Sequence, residues 1–224
     1  RKLPRTRISL RPSAGSNGAV RPAAWRKAWR EAINATGASL DKTGEPELKA
    51  AIAEHLRLAR GVNVDVDQVV ITGGSREGLL LILHALGPQL RVGVEDPGHP
   101  GLRRVIPLGG HKEVPCATNA GGVEVDELPG DLDALLVTPS HLYPFGGAMS
   151  AARRSALLNW ASTTDVVLIE DDFNTELRYL LSPQPTLATL SPGAAVLTLG
   201  TFSTLLSREL SAGYVIAPPA LAPA

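Results

Sequence analysis

Two short stretches of this 224-residue chain carry residue types that could do chemistry. The first, Thr72-Gly73-Gly74-Ser75-Arg76, lies between an apolar β-branched run and an apolar stretch with helical spacing. Where a strand turns into a helix, unpaired backbone N–H groups and the positive end of the helix dipole point at one spot, which favours an anion such as a phosphate. Arg76 adds a positive charge in the first turn. The same residues also suit a plain glycine-rich turn with a serine cap, and local sequence leaves the two readings level. The second stretch, Ile169-Glu170-Asp171-Asp172-Phe173, ends an apolar run in three acids. A carboxylate held there can pair with a cationic ring nitrogen. Two acids can also hold a metal, although no histidine stands at ligand spacing, so no metal site is assigned. The alternative is an acidic loop in solvent, which the apolar run directly before it disfavours. Other candidates are weaker. His55, His84 and His111 are scattered and read as structural or solvated, and Cys116 reads as a strand or core cysteine with no cation beside it to activate the thiol. Ser140 and His141 are adjacent and so face opposite ways on a strand, which argues against a nucleophile–base pair.

The elements that must position these residues follow from periodicity. Trp25, Trp29 and Ile33 recur at spacing four and predict a helix over 23–34. Pro46 opens a second helix over 46–60, with Leu48, Ile52, Leu56 and Ala59 on one face and Gly61 ending it. Beyond this the pattern alternates. Strands are expected at 69–72, 91–95, 112–116, 134–138, 165–170, 195–199 and 213–217, with helices over 77–86, 101–108 and 151–161. Seven strands with helical crossovers predict a three-layer α/β/α fold around a mostly parallel seven-stranded sheet. In such sheets ligands sit beyond the carboxyl ends of the strands, and the polar motifs fall there. Residues 1–22 read as a linker and N-terminal arm, and 23–224 as one large domain. Five of the first 11 residues are basic with no acid among them, which fits an arm touching DNA or, preferably, a solvated tether.

The totals narrow the function classes. Basic and acidic residues balance at 22 each, so the chain as a whole has no electrostatic footprint for nucleic acid. With 44% hydrophobic residues it can bury a sizeable core. One cysteine excludes an internal disulfide and suits a cytoplasmic setting. No apolar stretch is long enough to span a membrane, and no signal peptide is recognisable. Starting at Arg1 and ending at Ala224, the chain is expected to be a piece of a longer protein.

Several segments together then resemble one family. Glu95-Asp96-Pro97-Gly98-His99-Pro100-Gly101 is similar to the EDPGYPG segment of MocR-type regulators of the GntR family. Thr138-Pro139-Ser140-His141-Leu142-Tyr143-Pro144-Phe145-Gly146 is similar to their TPSHQYPTG, and Glu170-Asp171-Asp172-Phe173 with the six residues after it is similar to EDDYDSEFRY. Gly200-Thr201-Phe202-Ser203-Thr204 followed by Gly213-Tyr214 resembles GTFSK…GY, and Gly44-Glu45-Pro46-Glu47-Leu48 and Arg60-Gly61-Val62 also match. The segments fall in the family's order from about Trp25 to Pro218. The resemblance implies the large domain of a fold type I, class I/II aminotransferase-like protein, with the C-terminal small domain and the DNA-binding domain absent.

The resemblance also implies roles. Gly74, Ser75 and Arg76 would face the phosphate of pyridoxal phosphate, with Thr201 and Ser203 helping. His99 would stack on the pyridine ring and Tyr143 would sit near its phenolic oxygen. Asp171 would pair with the protonated ring nitrogen. Four positions depart from the pattern. The lysine that forms the Schiff base is Thr204, which has no amine, and no lysine follows Lys112. The phosphate-binding arginine is Ser211, the tyrosine two places after Asp171 is Phe173, and a glutamine is Arg76. Each lost charge-assisted hydrogen bond is worth about 1.5–3 kcal/mol, so cofactor affinity is expected to fall by roughly two to four decades. The favoured expectation is an effector-sensing domain of a transcription regulator with a degenerate site and no catalytic residue. Pyridoxal phosphate would be weak and non-covalent there, and an amino acid or pyridoxal-phosphate adduct would be the effector. The chain would form a homodimer, and DNA would be reached only through a domain elsewhere. Alternatives are a fragment of a pyridoxal-phosphate-dependent aminotransferase and a cofactor-free dimerisation scaffold.

Overall fold

The computed structural model describes residues 20–35, 41–173, 175, 185–190, 195–206, 210–219 and 221. The arm expected over 1–22 therefore lies almost wholly outside the described residues. The strands are β1 (Val69–Thr72), β2 (Arg91–Asp96), β3 (Lys112–Asn119), β4 (Gly122–Val123), β5 (Ala134–Val137), β6 (Val167–Asp171), β7 (Val196–Thr201) and β8 (Gly213–Ile216). They form one sheet in the order β1-β8-β7-β6-β5-β2-β3-β4. Pairing is parallel from β3 through β2, β5 and β6 to β7, and β8 runs antiparallel to both β7 and β1. It follows that β1, β2, β3, β5, β6 and β7 all point the same way. Their carboxyl ends share one edge of the sheet, and every polar motif singled out in the sequence lies along it.

Helices cover both faces. On one side α3 (Ser75–Leu86), α4 (Pro100–Arg103) and α5 (Val105–Leu108) bury Leu79, Leu83, Leu102 and Ile106 against Val92, Val94, Leu136, Ile169 and Leu199. On the other, α6 (Ala151–Thr164) and α7 (Leu187–Leu190) bury Leu157, Leu158 and Leu187 against Leu135, Val137 and Leu168. Successive strand residues thus feed opposite cores, as a sheet covered on both faces requires. At the β1 edge, α2 (Pro46–Arg60) packs Ile52 and Leu56 on Val69, Tyr214 and Ile216. The Glu45 side chain caps α2 by accepting from the N–H groups of Glu47 and Leu48, and Gly61 ends it at φ +65°. α1 (Pro22–Asn34) buries no residue. Its expected stripe forms, with Trp25 edge-on to Trp29 at 5.9 Å, but Trp29 and Ile33 remain 50% and 77% exposed.

The structure corrects the sequence reading in four places. The sheet has eight strands, not seven, because the end of β3 folds back on the two-residue β4 (Thr118↔Val123, Asn119↔Gly122). The helix expected over 101–108 is broken at Arg104, where Pro107 has no N–H to bond back to the carbonyl of Arg103. α6 runs to Thr164 rather than ending at 161. Asp165, expected to open β6, instead ends α6 in the left-handed conformation at φ 59°. Among the described residues no helix is long and apolar enough to cross a membrane.

Candidate functional site

The first part of the site is the turn from β1 into α3. Gly74, at φ +110°, is the residue that caps the helix, and Ser75 is its first residue. No side chain caps this end, so the reading of Ser75 as a cap is not realised. Thr72 Oγ1 donates to the Gly74 carbonyl at 3.2 Å, and the Gly73 N–H donates to the Glu77 carboxylate. The turn therefore already attracts an anion from its own chain, as a helix N-terminus should. Two other elements meet it. A methyl group on Gly213 would lie 2.7 Å from Gly74 Cα and 2.8 Å from the Gly200 carbonyl oxygen, so the start of β8 and the end of β7 press directly against the turn. That brings Thr201 and Ser203 alongside. Thr201 Oγ1 donates to Ser203 Oγ at 3.1 Å and accepts from the Ser203 N–H at 3.2 Å. The Ser211 carbonyl faces Gly73, at 4.0 Å from the place a methyl there would occupy. Thr204 follows in the same turn, half-buried, where the Leu206 N–H donates to the Phe202 carbonyl at 2.8 Å.

The second part is a set of buried acids at the ends of β2 and β6. Glu95, Glu170, Asp171 and Asp172 are all under 5% exposed, so the solvated-loop reading does not apply. Three have partners. Asp172 forms an ion pair with Arg60 at 2.8 Å, with both side chains buried. Glu170 accepts from the Leu187 N–H at 2.8 Å and faces Arg154 at 3.9 Å. Glu95 accepts from the N–H and hydroxyl of Thr138 at 3.1 and 2.6 Å. Glu95 Oε1, Glu170 Oε1 and Asp171 Oδ1 are each buried with no hydrogen-bond partner, but of the four acids it is Asp171 whose carboxyl takes neither a hydrogen bond nor an ion pair among the described residues. In the sheet it pairs with Leu199, whose side chain belongs to the core under α3. Laterally paired residues of a parallel sheet share a face, so Asp171 is on the α3 side. Burial, reinforced by Asp172 and Glu95, pushes its carboxyl up to about 8. Burial and Asp172 push Glu170 up to about 8, and burial pushes Glu95 up to about 7.

The third part is aromatic. The His99 ring meets Tyr143 edge-on at 5.4 Å and Phe173 at 6.2 Å, and His141 meets Phe173 at 5.9 Å. His99 Nδ1 accepts from the Leu102 N–H at 3.3 Å. Burial and then the nearby Arg76 hold its imidazole below the usual range. Arg76 itself reaches towards α4: a methyl on Gly101 would lie 3.3 Å from its Nη2 and 2.8 Å from His99 Cε1.

Sequence reasoning thus names residues that the fold brings into three adjoining groups: Gly74, Ser75, Thr201, Ser203 and Thr204; Arg76, His99, Tyr143 and Phe173; and Asp171. It misses the residues that hold them. Arg60 joins Asp172 across 112 positions, and Arg154 donates to the carbonyls of Met149, Pro185 and Pro139. The Arg60-Gly61 match hints at the first, and no local signal points to the second. Ser140 Oγ accepts from Arg60 at 3.4 Å, His111 Nδ1 accepts from the Leu90 N–H, His55 packs on Phe202, and Cys116 is buried. Among the described residues no group of His, Cys, Asp and Glu is arranged to hold a metal. A separate open cleft of about 670 Å³, lined by Asp41, Thr43, Lys49, Asp65 and Gln68 among others, contains none of the site residues. Its lysine is already held by Thr43 and Asp41 at 2.7 and 3.3 Å.

Comparison with known proteins is consistent with this geometry. The family model described as aminotransferase class I and II matches residues 12–223. The chain is 44% identical over 218 residues to the HTH-type pyridoxine biosynthesis transcriptional regulator PdxR of Corynebacterium glutamicum, covering 97% of this chain and 48% of that protein. It is 34% identical over 182 residues to the probable rhizopine catabolism regulatory protein MocR of Rhizobium meliloti, covering 80% of this chain and 37% of the relative. The chain thus spans less than half the length of both regulators. Among solved structures, an aminotransferase from Mycobacterium tuberculosis superposes with a TM-score of 0.79 at 28% identity, covering 96% of this chain and 56% of that one. An archaeal alanine:glyoxylate aminotransferase has the same fold, with a TM-score of 0.83 at 24% identity over 92% of this chain and 54% of its own.

Proposed function

This chain belongs to the aminotransferase class I and II family, and on that premise we propose that it is the effector-sensing, aminotransferase-like domain of a transcription regulator, with a vitamin B6 phosphate site that binds without catalysing. The family generally binds pyridoxal phosphate. The single observation that carries the reading is Asp171: a carboxyl oxygen buried without a hydrogen-bond partner at the carboxyl end of β6, on the face of the sheet that α3 covers. Leaving such a group unpaired costs about 1–3 kcal/mol, and a ring N–H placed against it removes the cost. The residues fit such a ring held non-covalently. Asp171 would take the ring nitrogen's proton into a hydrogen bond. The α3 N-terminus, with Gly74 and Ser75, would receive the phosphate, assisted by Arg76, Thr201 and Ser203. His99, Tyr143 and Phe173 would flank the ring. The group supplies an electron sink when bound. Covalent attachment does not fit, because Thr204 offers no amine. Glu77 would have to leave the Gly73 N–H for a phosphate to take its place.

The regulator reading rests on the relatives, two of which are named as transcriptional or regulatory proteins. In it, an amino acid or a pyridoxal-phosphate adduct is the effector, a second copy completes a homodimer in the cytoplasm, and DNA is contacted by another domain. Titration of the purified chain with pyridoxal phosphate, followed by visible absorbance and then by borohydride reduction and mass measurement, tests the site. The expected outcome is a saturable spectral change with no mass gain. A stoichiometric reduced adduct on one lysine would sink the non-covalent reading and restore that of an aminotransferase.

A further inference from the structure

Two helices each leave an apolar face exposed. α1 buries no residue, although Trp25, Trp29 and Ile33 line one side of it. On α2 the buried face is made by Lys49, Ile52, Leu56 and Arg60. Beside it runs a second stripe of Leu48, Ala51, His55 and Leu58, which share one face at about 100° of turn per residue. Its three aliphatic residues are exposed, Leu58 by 69%. The two stripes match in length. Trp25 to Ile33 spans eight residue steps and Leu48 to Leu58 ten, about 12 and 15 Å along a helix. Their rims also match in charge. Arg26 and Arg30 stand one position after Trp25 and Trp29, on the edge of the α1 stripe, and Glu47 and Glu54 border the α2 stripe. Glu54 holds Arg57, whereas Arg26, Arg30 and Glu47 have no ion pair among the described residues.

A bilayer surface suits the basic rim of α1 but not the acidic rim of α2. Both stripes are covered at once by a partner that offers one apolar helix rimmed with acids and another rimmed with arginines, and a second copy of this chain offers both. Resting on the reading above that the chain forms a homodimer, we infer that α1 of one copy packs along the α2 stripe of the other, and the reverse, across a two-fold axis. Such an isologous interface makes each pairing twice. Two helix-on-helix contacts of this length, on the order of 600–800 Å² each, total the roughly 1,200–1,600 Å² of a specific interface. The covered stripe also bears on the candidate site. His55 packs on Phe202 at 5.8 Å, at the head of the turn that carries Ser203 and Thr204, and Arg60 at the end of α2 holds Asp172. The partner thus sits on a helix that touches the site at both of these points.

Complementation between two variants tests the pairing. Trp29→Glu spoils the α1 stripe and leaves α2 intact, and Leu58→Glu does the reverse. Both side chains are exposed, so each variant should melt close to the native chain. Sedimentation velocity from about 1 to 100 µM, without ligand, is expected to show a dimer for the native chain and a dissociation constant raised at least about tenfold for each variant. An equimolar mixture of the variants should recover part of the association, because the Leu58→Glu chain still offers α1 to the intact α2 of the Trp29→Glu chain. Pairing of α1 with α1, or of α2 with α2, gives no such recovery. A monomeric native chain, variants that associate as it does, or a mixture no tighter than its components would each overturn the inference. A monomer that co-sediments with vesicles of phosphatidylcholine and phosphatidylglycerol would overturn it too, and would assign α1 to a lipid surface. Titration of the native chain with pyridoxal phosphate reads the proposed site separately, so failure of the interface and failure of the ligand site are told apart.

Discussion

At the level of single residues, the site holds Asp171 in an environment that disfavours its charge, and this has a consequence for the ligand-free chain. Burial raises its carboxyl from 3.8 to about 8. The folded chain therefore keeps a proton that the unfolded chain releases above about pH 4. Stability linked to this group is fully present below the unfolded value and is lost as the pH rises from about 4 to about 8. Glu170 and Glu95, pushed up to about 8 and about 7, act with the same sign. The free chain is thus expected to melt higher at pH 5.5 than at pH 8.5. Asp171→Asn removes one of these burdens and should raise the melting temperature at pH 8.5 by about 2–8 °C, following from roughly 1–2 kcal/mol in a chain of this size. The same change should weaken vitamin B6 phosphate binding at least tenfold. Thermal melts across pH on the two proteins check this, and a variant that melts lower at pH 8.5 would mean that Asp171 is satisfied by its own protein. The acid itself was legible in the sequence, because it directly follows a buried strand. That its neighbours are also buried was not legible, because the cations that permit it, Arg60 and Arg154, come from α2 and α6. Pairing across such distances leaves no local pattern.

Between elements, the site depends on how closely β8 can approach the turn into α3. Gly213 pairs with Thr72 on one side and Thr201 on the other. A methyl there would meet backbone on both sides, 2.7 Å from Gly74 Cα and 2.8 Å from the Gly200 carbonyl. Backbone cannot rotate away as a flexible side chain can. Gly213→Ala is therefore expected to push the turn between β1 and α3 away from β7, costing about 1–3 kcal/mol and lowering the melting temperature by roughly 2–12 °C. Ligand affinity should fall with it, as Gly74 separates from Thr201 and Ser203. Unchanged melting and unchanged affinity would show that β8 can shift at no cost. Most elements that create this junction were readable from sequence. Buried parallel strands are continuous apolar runs, so β1, β2, β5, β7 and β8 fall within two residues of their expected bounds. Each failure has its own local cause. The two-residue β4 is too short to show a period. Pro107 breaks a stretch whose apolar spacing is otherwise helical, and Asp165 belongs to the end of a helix rather than to the strand beside it. The order of strands, and with it the insertion of antiparallel β8 between β1 and β7, is set by packing across the sheet and not by any local segment.

On the scale of the whole molecule, the question is whether this chain could read DNA by itself. All 22 acidic residues follow position 11, whereas five of the 22 basic residues precede or occupy it. Residues 12–224 therefore carry 17 basic against 22 acidic side chains, a net surplus of acid. Several of the arginines are also committed, Arg103 to Asp96 and Glu113, Arg60 to Asp172, and Arg153 to Glu124. The net charge of residues 12–224 thus repels a phosphate backbone, and the first 11 residues attract one. Binding through the five cations of that arm carries a salt dependence of about −0.9 × 5 on a log–log plot, roughly −4.5, and contains no readout of bases. The chain is expected to give no sequence-dependent shift with duplex DNA. Any weak binding at low salt should disappear when residues 1–11 are removed. Fluorescence anisotropy with two unrelated duplexes, across a salt series and with both chain lengths, checks each part. Binding that distinguishes the duplexes, or that survives the truncation, would place a reading surface on the aminotransferase-like domain. The proposed DNA contacts would then not need to come from a separate domain.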